Sequence, residues 1–484
     1  MSSRRFAWFL VGLAAVVHAP SFVRPLMDLD EASYASMACR LLDGGSPYRD
    51  AVENKFPAVF YVYKDVFALF GRYNMLAIHV AVTLVALATA LVVGAIARRY
   101  AGPAAGRWAA GLYLVFSAGY YPKMLAGNTE MFAVLPGALA IWCYLRARDR
   151  HVAWYLAAGA FGALALLFKQ VAIASFCAIL ADRALTGYRE PLRALRDLAL
   201  CALGFAAVFG AMVIHLRALG VLDDAVFWTW TYVLHYYLPA GSNDHGFLYN
   251  LATSFSLFAL ATSPLIYLAV RGRARGQSAL YWWLGGNLGA ALVGGRMYGH
   301  YFLLLVPALA TVAGIGAARW FPDHPAARRR LTALVIVLAA AWLVAGFVFE
   351  GATSNAWSPE PDYRDAAAYV RAHTSRDDRL FVWGWFPALY QAADRCPSTR
   401  FVYTHLLAGA SPEGIDRGHD VPEAWDMLLD DLDAAPPAYI LDTSPGGYSS
   451  YHYPPELYPR LWSFIAGRYD VETTIAGVRL FRRR

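Results

Sequence analysis

Apolar positions along the chain gather into long runs separated by short polar stretches. Runs lie near 6–23, 75–97, 108–125, 129–145, 152–168, 170–185, 198–219, 247–270, 279–295, 299–318 and 331–349. A helix that crosses a bilayer takes about 20 mostly apolar residues. The pattern therefore predicts a polytopic α-helical membrane protein with about 11 transmembrane helices. Several runs are short. Those at 152–168 and 170–185, which meet at Lys169, read as two helices or as one broken segment. The first run follows Arg4-Arg5 as a signal peptide would, but no small-residue cleavage site stands out and more runs follow. It reads as a retained first helix.

After residue 350 the pattern changes. Asp362–His373 has an amphipathic helical period, and Arg379–Trp385, Arg400–Thr404 and Ala438–Asp442 read as strands. Helical stretches near 421–434 and 455–467 lie around them, and the end of the chain reads as a hairpin. Alternating strands and helices predict a small α/β domain. The expected division is thus a transmembrane domain over 1–350, carrying a long first outer loop over 24–73, and a soluble domain over 351–484. No internal repeat is visible.

Charge orients the helices. With the N-terminus inside, the inner stretches hold Arg4/Arg5, Arg98/Arg99/Arg107, Arg146/Arg148/Arg150, Arg183/Arg189/Arg193/Arg196, Arg271/Arg273/Arg275 and Arg319/Arg328/Arg329/Arg330. In the first outer loop acids outweigh bases. This alternation follows the positive-inside rule. An odd number of spans puts the C-terminal domain outside the cytoplasm.

Composition agrees. Of 484 residues 58% are hydrophobic and 16% charged, against about 25% charged in a soluble domain. The net charge of +7 comes from the arginine clusters between apolar runs, so it reports topology rather than nucleic-acid binding. The only lysines are Lys55, Lys64, Lys123 and Lys169. Scarce lysine beside abundant arginine and alanine suggests a GC-rich bacterium, and hence a bacterial inner membrane. Cys39, Cys143, Cys177, Cys201 and Cys396 form no CxxC pair and no zinc-ligand spacing. A disulfide framework or structural metal is therefore not expected, although Cys39 and Cys396 could pair. GxxxxGK[ST], HExxH, GxSxG and the Rossmann fingerprint are all absent, and the short basic inner loops disfavour nucleotide chemistry there.

The first outer loop is too long for a connector. It predicts two amphipathic helices, Ala32–Leu42 ending at Gly44-Gly45, and Pro57–Phe70. Asp28, Asp30 and Glu31 stand where the first run leaves the bilayer, where carboxylates are costly unless they face a cavity. Asp30 also reads as a helix N-cap, with Glu31 favouring the helix dipole; a cap and a catalytic role are compatible.

The pattern DE…YA…A..LL.GG..PYRD..ENK.P..FY over residues 28–63 resembles the first outer loop of GT-C membrane glycosyltransferases, nearest the protein O-mannosyltransferases and lipid A aminoarabinose transferases. The resemblance covers roughly residues 6–320. It implies a hexosyl or pentosyl transferase of the cell envelope that takes its sugar from a polyprenyl-phosphate donor outside the cytoplasm. Asp30 matches the family's catalytic carboxylate, the proposed general base, and Glu31 its neighbour. Lys55 matches the lysine of a Lys-Pro-Pro stretch that contacts the donor phosphate; here the stretch is Lys55-Phe56-Pro57. Glu53, Asn54 and Tyr61 stand in the same pattern and are candidate substrate contacts, together with Asp28 and Glu130. A second acid at Asp28 could help hold a divalent metal, but no cofactor is required.

The chemistry stands without the family. A sugar leaving polyprenyl phosphate needs a base for the acceptor hydroxyl and positive charge for the leaving phosphate. Lys55, Lys169, Arg296 and His300 are placed for the second task. Lys169 reads equally as a snorkelling lysine, and Arg296 with Tyr298 as interface residues. Glu130, opening the fourth helix, reads as a cap or as a substrate contact. Phe227–Tyr237 is dense in aromatics and reads as an interface belt or a cover over the donor. Trp383, Trp385 and Tyr390 read as core packing or as contacts to an acceptor glycan. The expected reaction is an inverting transfer to an acceptor hydroxyl on a lipid, glycan or protein. The competing readings are a non-catalytic transporter and a membrane subunit whose outer domain binds a partner.

Overall fold

The computed structural model of the protein describes residues 2–119, 124–237, 246–273, 276–348, 362–408, 410–411, 414–415, 421–448 and 453–484. Arg275 and the expected boundary at 350/351 lie outside them. The chain folds into two compact units. One comprises Met1–Pro25, Ile78–His215 and Phe247–Phe349; the other comprises Leu26–Ala77, Leu216–Gly246 and Glu350–Arg484. The first outer loop thus folds together with the C-terminal segment.

The helical unit places a helix on each of the apolar runs. Among the described residues five helices could cross a membrane by length and composition: Met75–Ser117, Thr129–Asp149, Pro191–Ala218, Gly299–Trp320 and Pro325–Val348. The pair Gly246–Ala261 and Ser263–Arg271, bent by 68°, makes a sixth if it is one span. The runs at 75–97 and 108–125 share one helical stretch, Met75–Ser117, broken at Ala101 and Gly102 just ahead of Pro103. A proline cannot donate to the helix, and the residue before it is pushed out of the helical region. At Lys169 the backbone turns extended (φ −153, ψ 132), so 152–185 is two helices, Ala153–Phe168 and Ala174–Thr186, separated by a 3-10 turn.

Burial sorts these helices. The apolar window of Gly299–Trp320 is 89% buried, whereas that of Pro325–Val348 is 6% buried. The first packs inside the unit. The second turns Ile336, Val337 and Val344 outward, as a lipid-facing helix does. Close approach is set by small residues: a Cβ on Gly159 would meet the Cys201 carbonyl, and one on Gly204 the Leu156 carbonyl. Two backbones therefore lie in direct contact, as small residues allow between membrane helices.

The other unit contains a four-stranded sheet in the order Leu380–Trp383, Tyr439–Asp442, Val478–Arg483, Tyr469–Ile475. The first pair is parallel and the other two antiparallel. Phe381, Val382, Ile440, Leu441 and Leu480 are buried between the sheet and the helices of the segment. The expected C-terminal hairpin is present. Arg400–Thr404 is not a strand but a series of bends. Its backbone is used elsewhere: the Val52 N–H donates to the Arg400 carbonyl at 3.0 Å, and the Arg400 N–H donates to Asp431 at 2.8 Å.

Cys39 and Cys396 form a disulfide, with Cα atoms 5.8 Å apart and a sequence separation of 357. Neither spacing nor motif pointed to it, because the two segments meet only in the folded unit. The Tyr73 hydroxyl donates to the Arg395 carbonyl at 3.0 Å beside it. Cross-links that close long loops restrict the unfolded chain most, and losing one costs about 2–5 kcal/mol. A Cys39→Ser, Cys396→Ser double variant is expected to melt well below the parent protein, measured by intrinsic fluorescence in detergent. Coincident melting curves would mean that the hydrogen bonds around the bridge suffice.

Candidate active site

The first outer loop builds its chemistry on the start of helix Leu29–Leu42. Asp28 is extended and is the N-cap; its carboxylate accepts from the Asp30 N–H at 3.4 Å. Glu31, three residues on, reaches back to the Met27 N–H at 2.6 Å. This acid-x-x-Glu arrangement is like a capping box, with Glu31 reaching one residue ahead of the cap. The cap is therefore Asp28 rather than Asp30, and Asp28 and Glu31 together tie down the helix start. Asp30 between them is left to face Lys55, whose Nζ is 3.7 Å from its carboxylate. The helix stops at Asp43. Gly44 then takes φ +91, and Gly45 has no room for a Cβ between the Arg40 carbonyl and the Asp50 side chain.

Lys55 lies between two carboxylates. Glu53 is 3.8 Å away and its side chain is 2% exposed, whereas Asp30 and Lys55 keep 17% and 21%. The ammonium sits 5.1 Å from the centre of the Tyr34 ring, and the Tyr48 hydroxyl holds the Lys55 carbonyl at 2.8 Å. Burial opposes the charge on Lys55, but Asp30 and then Glu53 outweigh it and hold the ammonium well above the ordinary lysine range. Burial, and then the Asp30 charge, push the Tyr34 hydroxyl well above its own, so it stays protonated. Glu53 is held from two sides: Oε1 accepts from the Asn54 N–H at 2.8 Å, and Oε2 accepts from the Tyr403 hydroxyl at 3.0 Å. Tyr61 is half-buried on helix Ala58–Phe70 beside Asp65, where burial first and Asp65 second push its hydroxyl up to about 12. The structure thus brings together Asp30, Glu53 and Lys55, with Asp28 and Glu31 at the cap. It adds Tyr34, Tyr48 and Tyr403.

Aromatic residues of 216–246 and of the C-terminal segment pack in the same unit. Phe56 meets Trp230 at 6.3 Å between ring centres, and Trp228 meets Phe401 at 6.3 Å. Trp230 stays 47% exposed. Trp383 and Tyr390 are fully buried: the Trp383 indole donates to the Tyr453 carbonyl, and the Val382 N–H donates to the Tyr390 hydroxyl oxygen. Both are core residues. Trp385 is only half-buried and lies 5.4 Å from the Tyr403 ring.

The helical unit holds a second cluster. Helix Thr129–Asp149 begins at Asn128, which places Glu130 in its first turn. The break after Phe168 turns Lys169 to form a buried ion pair with Glu130. His300 Nε2 lies 3.8 Å from the same carboxylate, the Thr129 hydroxyl donates to it at 2.9 Å, and the Lys169 ammonium lies 3.7 Å from the Tyr301 ring centre. Lys169 is therefore neither snorkelling nor exposed. Arg296 is buried (5% exposed) in a turn whose Gly295 carbonyl accepts from the Asn250 amide at 2.9 Å. Removing one partner of a buried ion pair costs about 3–5 kcal/mol, because the other charge stays buried. Glu130→Gln is expected to lower the melting temperature in detergent. The double variant Glu130→Gln, Lys169→Met is expected to recover most of the loss, and a double variant as unstable as the single one would contradict the pairing. Among the described residues no three His, Cys, Asp or Glu side chains come together as a metal site.

Residues 54–215 match the family model described as dolichyl-phosphate-mannose-protein mannosyltransferase. Lys55, Glu130 and Lys169 fall inside the match, Asp28, Asp30, Glu31 and Glu53 precede it, and Arg296 and His300 follow it. No curated protein sequence matches the chain. Among solved structures, ArnT from Cupriavidus metallidurans bound to undecaprenyl phosphate is similar over 99% of this chain and 98% of its own, with a TM-score of 0.71 and 16% identity. The apo state of the same protein gives the same values. The oligosaccharyltransferase of Archaeoglobus fulgidus in its apo form is similar over 91% of this chain and 70% of its own, with a TM-score of 0.54 and 13% identity. The chain shares its fold with ArnT and, more loosely, with the archaeal oligosaccharyltransferase, and over residues 54–215 it resembles the dolichyl-phosphate-mannose-protein mannosyltransferase family.

Proposed function

We propose that the protein is an integral-membrane glycosyltransferase that moves a sugar from a polyprenyl-phosphate donor to an acceptor hydroxyl, with inversion, on the extracytoplasmic face. The observation that carries this reading is the Asp30–Lys55 pair, 3.7 Å apart and partly open. It puts a base and a phosphate counter-charge side by side. Asp30 takes the proton of the acceptor hydroxyl as its oxygen attacks the anomeric carbon. The bond from that carbon to the phosphate oxygen breaks, and polyprenyl phosphate leaves as an anion beside Lys55. One displacement inverts the anomeric centre. ArnT, similar along its whole length, is a structure bound to undecaprenyl phosphate, which supports a lipid phosphate as the leaving group.

The Cys39–Cys396 bridge supports the location. Disulfides persist outside the reducing cytoplasm, which supports placing the first loop and the C-terminal segment on the outer side of a cell membrane. Lys169, Arg296 and His300 are assigned to donor binding. Arg296→Ala and His300→Ala are expected to raise the donor KM more than they lower kcat. Unchanged donor KM in both would remove them from that role. Incubation of the purified protein with undecaprenyl-phosphate sugars and cell-envelope lipid extract tests the reading. Release of undecaprenyl phosphate dependent on acceptor is the expected result, and none from a folded protein would overturn it.

A further inference from the structure

Tyr403 belongs to the C-terminal segment, 350 residues from Glu53, yet its hydroxyl donates to Glu53 Oε2 at 3.0 Å in a buried position. We propose that Tyr403 is a positioning residue of the candidate active site, holding Glu53 so that Lys55 stays aimed at the donor phosphate; this rests on the function proposed above. Two carboxylates share one ammonium here, at 3.7 and 3.8 Å. An incoming phosphate must approach Lys55 against both negative charges. Glu53 stays put because both of its oxygens already accept. The Asn54 N–H takes Oε1, and the Tyr403 hydroxyl takes Oε2, the oxygen that also lies 3.8 Å from Lys55, so the hydroxyl draws that oxygen's charge away from the ammonium. Without Tyr403, Glu53 would turn fully onto Lys55 and compete with the phosphate.

The surroundings fix Tyr403 for this task. The Thr404 N–H donates to the Gly384 carbonyl at 3.3 Å, and the half-buried Trp385 lies against the Tyr403 ring at 5.4 Å. The Val52 N–H and Arg400 carbonyl, 3.0 Å apart, tie the two segments together next to the contact. Burial, and then the Glu53 charge, push the Tyr403 hydroxyl well above its ordinary range, so it keeps its proton and remains a donor. The C-terminal segment thereby completes the loop's charge cluster.

Tyr403→Phe removes only the hydroxyl. Affinity for undecaprenyl phosphate is read by thermophoresis of the full-length protein in nanodiscs. Losing a charge-assisted hydrogen bond of this kind is expected to weaken binding about ten-fold, beside a modest fall in melting temperature from the buried carboxylate it leaves behind. Phosphorus NMR of the bound lipid adds a readout that a merely structural role would not move: its signal in Tyr403→Phe is expected to shift towards that in Lys55→Met. Tyr439→Phe, which removes a hydroxyl bonded to Glu472 at 2.6 Å in the sheet, is the matched control and is expected to bind as the parent does. Parent-like affinity and phosphorus signal in Tyr403→Phe would overturn the proposal while leaving the glycosyltransferase reading intact. A parent protein that binds no undecaprenyl phosphate would overturn both.

Discussion

Asp30→Asn is expected to lower sugar transfer by about 10²–10⁴-fold, the usual contribution of a positioned general base. The substitution keeps the shape of the side chain. It leaves the helix start intact, because Asp28 and Glu31 make the cap contacts. Folding, membrane insertion and donor binding should therefore survive, and the loss should lie in kcat. Initial rates with saturating donor, beside a melting curve, separate these. Parent-like kcat in a folded Asp30→Asn protein would remove Asp30 from the chemistry.

Lys55→Met is expected to raise the donor KM by about 10–100-fold, the scale of losing a charged hydrogen bond to a phosphate. It also leaves Glu53, buried at 2% exposure, facing Asp30 without a counter-charge, so some stability should be lost with it. The pH dependence has a definite sign. Lys55 is held above its ordinary value, so the ion pair's stabilisation is complete below the unfolded lysine pKa of about 10.4. It is lost only as pH rises through the still higher folded value. Donor affinity should accordingly stay flat between about pH 7 and 9. A drop there that disappears in Lys55→Met would show that the ammonium titrates in that range and contradict the account.

Much of this was legible in the sequence for physical reasons. Hydropathy marks helices strongly, and most described residues of the apolar runs lie in helices. The end of the chain, Tyr469–Arg483, read as a hairpin and is one. Asp28, Asp30 and Glu31 were visible as a group because capping chemistry is local, although the sequence pointed to Asp30 as the cap and the structure puts Asp28 there. Contacts between distant segments left no such trace. Lys169 broke an apolar run visibly, but its partner Glu130 stands 39 residues earlier. Cys39 and Cys396 carried no motif. Tyr403 was hidden in a stretch that read as a strand, and its bends follow from backbone groups that pair with Val52 and Asp431. A tyrosine bonded to a distant carboxylate has no signature in one sequence.

The proposed activity requires that the protein hold a polyprenyl-phosphate sugar. Native mass spectrometry of the purified full-length protein with a panel of such donors reads this without any turnover. One donor is expected to be retained, and to be retained less by Lys55→Ala. Retention of no donor by a protein shown to be folded would contradict it and leave the non-catalytic membrane readings in its place.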